Sequence, residues 1–124
     1  MEDVMEKLVP SMASCLMIPS GAFQASAIVW NLTVADKETG ELVGLHLRDD
    51  CEGWMRKNQI PAPTLEEVIA CFPNHIFYIC RSSGKWNVEA IDRLRMMPTA
   101  IGKSTVSSSD AALNVWLAMK GIKA

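Results

Sequence analysis

The stretch HIFYICRSSGKWNVEAID, residues 75 to 92, sets two runs of β-branched and aromatic residues on either side of Ser82, Ser83 and Gly84. Two such runs joined by a short polar turn containing glycine read as a β-hairpin. In the first run Ile76, Tyr78 and Cys80 alternate with His75, Phe77, Ile79 and Arg81, so apolar groups fall on both faces. A strand of that kind is expected to be covered on both sides, which predicts a central place in the sheet.

Working outward, the upstream PTLEEVIACFP (residues 63 to 73) has Thr64 and Glu67 in the T-x-x-E form of a capping box. Leu65, Val68, Ile69 and Phe72 follow at helical spacing, and Pro73 ends the stripe. Pro61 and Pro63 predict an extended linker into this helix. Farther upstream, Ile28, Trp30, Leu32 and Val34 share one face of a strand, ADKETGE is a turn, and Val43, Leu45 and Leu47 alternate on the return strand. Asp49 and Asp50 can cap a short helix through CEGWMRKN, and EDVMEKLV reads as a short N-terminal helix ending at Pro10.

Downstream, residues 93 to 106 read as a loop and a short third strand. Ser107 with Asp110 then resembles a capping box, and Ala112, Leu113, Trp116, Leu117 and Lys120 form a stripe that Gly121 closes. The expected fold class is therefore α+β, with a single domain over residues 1–124. It combines one antiparallel sheet of about four or five strands with helices at 64–72 and 108–120 and the short N-terminal helix.

With 124 residues and 49% hydrophobic content, the chain suits one core rather than two. No apolar run approaches a membrane span, and the acidic start MEDVMEKLV lacks the basic n-region of a secretory signal, so a cytoplasmic location is expected. Cys15, Cys51, Cys71 and Cys80 form no CxxC pair and read as reduced thiols, Cys71 and Cys80 as core packing. With two histidines in no ligand pair, neither metal nor cofactor is expected. Residues 1 to 50 carry eight acidic and three basic side chains, and residues 51 to 124 carry six and nine. That asymmetry is too mild for DNA binding but leaves room for one small anionic ligand in the second half.

Glu66 and Glu67 point about 100° apart and sit in a first helical turn, where they serve capping rather than acid–base chemistry. Arg81, Lys85, Trp86, Asn87, Arg93 and Arg95 are the leading ligand-binding candidates, because guanidinium forks match phosphate, tryptophan offers a stacking face and asparagine reads an amide or base edge. Trp54 and Arg56 are the candidate partner-binding residues. No residue is assigned a catalytic role.

The order PTLEEVIACFP, strand, GKW turn, polar connection and SSSDAALNVWLAMK helix resembles small uncharacterised phage and prophage proteins over residues 61–120. That resemblance implies a small accessory protein that interferes with a host system by capture rather than turnover. The expected function is thus a non-enzymatic binding protein whose partner is a host protein or a small anionic nucleotide signal. The alternatives are a cysteine-dependent enzyme using Cys71 or Cys80, with His75 or His46 as base, and a structural module that forms a homo-oligomer.

Overall fold

The structure is a computed structural model that describes residues 8–23, 26–31, 44–47 and 59–122. Most of the expected N-terminal helix, the turn at 35–41 and the helix after Asp49 and Asp50, with Cys51, Trp54 and Arg56, lie outside the described residues. In chain order the elements are α1 (Met12–Cys15), β1 (Ile28–Asn31), β2 (Gly44–Leu47), β3 (Gln59–Pro61), α2 (Leu65–Ile69), β4 (His75–Ser82), β5 (Lys85–Asp92), β6 (Met97–Ser104) and α3 (Ser108–Met119). The class is α+β.

The strands form two antiparallel sheets rather than one, ordered β2-β1-β3 and β4-β5-β6. The first contains the expected hairpin, with Ile28 opposite Leu47, and a strand made from the supposed linker: Val29 lies opposite Pro61 and Trp30 opposite Ile60. Proline confines that strand to an edge, because Pro61 and Pro63 have no N–H with which to extend a ladder. The chain leaves through α2 instead. The Thr64 and Glu67 capping box is complete, and the Glu67 carboxylate reaches further. It accepts from the Thr64 N–H (2.8 Å), the Ser26 hydroxyl (3.1 Å) and the Ala27 N–H (3.2 Å), which ties the helix start to the approach of β1.

In the second sheet Ser83 and Gly84 both have positive φ (53° and 76°), the geometry of a two-residue type I′ hairpin turn. Residues 97–104 form a full eight-residue strand, not a short one. Its Thr99 is the extra residue at a register shift beside Ala90 and Ile91, and the Thr99 hydroxyl donates to the Ala90 carbonyl (3.1 Å). This third strand places β5 at the centre, while β4 is an edge strand of the described sheet. The expectation that HIFYIC is central and covered on both sides is therefore corrected. One of its faces meets the core, and the other exposes Ile76 and Tyr78.

Helix α3 is the hub. Residues Ser109 to Leu113 and Val115 to Leu117 are all buried, so the helix is enclosed nearly all round rather than along one stripe. It packs against β5 and β6 on one side and against α2 and α1 on another. Gly102 permits the closest approach, since a Cβ there would collide with the Ala111 carbonyl and the Val115 backbone. The Ser107 hydroxyl accepts from the Asp110 N–H (3.0 Å) as a cap, but the Asp110 carboxylate does not complete a box. It accepts instead from the Ser11 N–H (2.9 Å), the Ser11 hydroxyl (3.1 Å) and the Ser104 hydroxyl (2.6 Å). Ser107 donates to the Val9 carbonyl and Ser109 to that of Leu8, so the run SSSD stitches the N-terminal segment to the first turn of α3.

Candidate binding surface

Residues directly opposite each other in an antiparallel sheet share a face. By register, Phe77, Ile79 and Arg81 of β4 share the inner face with Trp86, Val88 and Ala90 of β5 and Ala100, Gly102 and Ser104 of β6. The outer face carries Ile76, Tyr78 and Cys80, then Lys85, Asn87 and Glu89, then Ile101 and Lys103. It divides along the strands: Lys85, Asn87 and Lys103 make one end polar, while Ile76, Tyr78 and Ile101 make the other largely apolar around Glu89.

The six expected ligand residues are not gathered in one place. Arg81, Lys85, Trp86 and Asn87 stand at the β4–β5 end, with the Arg81 guanidinium 5.3 Å from the Trp86 ring centre in a cation–π contact. Arg93 and Arg95 lie at the opposite end of β5, a strand roughly 23 Å long at about 3.3 Å per residue. Sequence proximity misled because an eight-residue strand separates its ends by its whole length. The inner-face position of Trp86 also divides it from Lys85 and Asn87, and the ring packs against the core.

A groove of about 320 Å³ adjoins the first group, lined by Lys85, Lys103, Ser104, Thr105, Val106 and Asp110. Lys103 is not among the expected ligand residues, because it belongs to β6, whose full length only the pairing with β5 defines. The Ser104 hydroxyl donates to Asp110 and accepts from the Val106 N–H (2.9 Å), fixing the turn that forms one wall.

At the other end, the β5–β6 turn is held by Asp92. Its carboxylate accepts from the Leu94 N–H (2.8 Å) and the Arg95 N–H (3.1 Å), and those bonds hold its carboxyl below the usual range. The turn exposes Leu94 almost entirely (94%) between Arg93 and Arg95, and Met96 and Met97, which follow, are also exposed. By its arginines the turn falls among the expected ligand residues, whereas its exposed surface is largely apolar.

Cys15 is buried, with its thiol pushed up to about 12, chiefly by burial; the Trp30 indole N–H opposes that rise and Asp110 adds to it. That indole nitrogen is itself buried without a full hydrogen-bond partner among the described residues, and the sulfur is a weak acceptor for it. Cys71 is exposed, correcting the core assignment: the helix ends at Ile69, and in the turn that follows it is Phe72, not Cys71, that enters the core. Its thiol contacts the Glu67 carbonyl (3.5 Å), and local burial raises its pKa, with Lys120 lowering and Glu67 raising it further. Cys80 is half-buried on the outer face. The His75 ring packs edge-on against Phe72, 5.7 Å between centres. Among the described residues no cluster of three or more His, Cys, Asp or Glu side chains could hold a metal, and no helix is long and apolar enough to cross a membrane.

Comparison with protein-family models, with curated proteins and with solved structures finds no match to this chain.

Proposed function

We propose that this chain is a non-enzymatic binding protein that captures a protein partner on the apolar end of the outer sheet face and the adjoining β5–β6 turn. One observation carries the reading. Ile76, Tyr78 and Ile101 on the outer sheet face, and Leu94, Met96 and Met97 at the β5–β6 turn, are all exposed by 42% or more. Several large exposed apolar side chains at one end of a sheet mark an interaction surface, and tyrosine and methionine suit one because they offer large contact area and adaptable packing. Arg93 and Arg95 supply a polar rim.

Within this reading the protein acts in the cytoplasm as an accessory of phage or prophage type, and the partner belongs to the host. Catalysis by Cys71 is disfavoured by a raised thiol pKa, which leaves little thiolate at neutral pH.

The test is retention of host proteins by the immobilised chain, comparing wild type with Tyr78→Asp and Leu94→Asp. Loss of a specific retained protein in both variants, with circular dichroism unchanged, is expected. Retention unaffected by either substitution sinks the reading.

A further inference from the structure

We propose that the groove at the β4–β5 end of the second sheet binds a small phosphate-bearing molecule of nucleotide size, at a site separate from the apolar surface assigned to a protein partner. Its volume of about 320 Å³ falls at the lower end of the range for small-ligand pockets. Its two cationic walls come from neighbouring strands. Asn87 lies directly opposite Lys103, so Lys85 is a diagonal neighbour of Lys103 on the same face, with Cα atoms roughly 7–8 Å apart. Four-carbon stems allow both ammonium groups to converge on one phosphate from those positions. Two like charges at adjacent sheet positions repel each other, and an anion between them replaces that repulsion with two attractions.

The rest of the wall suits a nucleoside phosphate better than a bare anion. Val106 is 53% exposed and offers apolar surface to a ring. The exposed Thr105 adds a hydroxyl at the rim, and Asn87, opposite Lys103 but outside the lining itself, carries both donors and acceptor on one amide nearby. Asp110 is the acidic member of the lining, and its charge is already met by three donors, the N–H and hydroxyl of Ser11 and the hydroxyl of Ser104. The wall is also built before any ligand arrives. The Ser104 hydroxyl accepts from the N–H groups of Val106 (2.9 Å) and Ser107 (3.4 Å), which holds residues 104–107 in one turn against α3.

NMR titration of the isotope-labelled full chain with adenosine, guanosine, cytidine and uridine monophosphates, and separately with inorganic phosphate, tests the site. The expected result is saturable shifts from at least one nucleotide in the amides of residues 85–87 and 103–107, with a lower midpoint than for inorganic phosphate. Lys85→Gln with Lys103→Gln should raise that midpoint about tenfold or more, as loss of charged hydrogen bonds does. Arg93→Gln with Arg95→Gln should leave it unchanged. Shifts that do not saturate, that spread equally to the β5–β6 turn, or that survive the double lysine variant would overturn the proposal. Equal midpoints for nucleotide and inorganic phosphate would overturn the assignment of a nucleotide. Neither result bears on the apolar surface, which has its own test.

Discussion

The two faces of the β4–β5–β6 sheet are made by alternate residues of the same three strands, and both are partly apolar, yet only the inner one is covered by α3. Apolar content does not explain the difference. The inner face carries Ala90, Ala100 and Gly102 across the two strands under the helix, a low shelf on which Ala111 and Val115 can settle. The outer face carries Ile76, Tyr78 and Ile101, side chains that project and are interrupted by Glu89, opposite both Tyr78 and Ile101. Close packing rewards shape as much as hydrophobicity, so the helix takes the face it can approach.

The sharpest way to break this contrast is to raise the shelf. Gly102→Val places branched carbon where the Ala111 carbonyl and Val115 backbone already stand. Denaturant unfolding should show a loss of more than about 4 kcal/mol, or no folded protein, whereas Ile101→Ala next to it should shift stability by less than about 0.5 kcal/mol. Comparable midpoints for the two would show that α3 does not sit on β6 as described.

Next in size is the junction that clamps the helix over the inner face. Asp110→Ala removes the acceptor shared by Ser11 and Ser104 and should cost about 2–4 kcal/mol in the same measurement. Glu67→Ala loosens the other clamp, between α2 and the approach to β1, and should cost about 1–2 kcal/mol because that carboxylate is half-buried and closes a capping box.

The buried thiol of α1 offers a pH-dependent check on the packing at the other side of α3. Folded Cys15 keeps its proton up to about 12, while the unfolded chain loses it from 9.0 upward. Across that window the unfolded state binds fewer protons, so stability falls as pH rises; below it both states are protonated and Cys15 adds no slope. Cys15→Ala should flatten the alkaline limb of stability against pH. An unchanged limb would place the thiol in water.

The smallest expected stability change is the most telling about function. Tyr78→Ser and Ile76→Thr on the outer face should alter unfolding midpoints by less than about 0.5 kcal/mol, because both side chains are already exposed. A large loss from either would mean that this face is covered within the protein and is not available to a partner.

Local features were legible in the sequence wherever local chemistry alone decides them. The T-x-x-E cap, the Ser83–Gly84 turn, both hairpin pairings within the described residues and the 108–119 helix follow from capping, positive φ and periodicity. The errors share a different cause. Gln59–Pro61 gained strand identity only from β1 beside it, and Met97–Ser104 gained its length from β5. The HIFYIC run could not reveal whether a second layer existed to cover its other side.

The candidate sites divide the same way. Residue types in the sequence were enough to single out Lys85, Asn87, Arg93 and Arg95 as chemically capable. Only the tertiary structure joined Lys103 to Lys85, parted them from Arg93 and Arg95 by the length of a strand, and turned Trp86 toward the core. Side-chain chemistry and backbone preference are properties of a residue and its near neighbours, so sequence determines them. Which face is covered, and which charges meet, depends on strand register and on the close approach of α3 at Gly102, and those are set by packing between segments far apart in the chain.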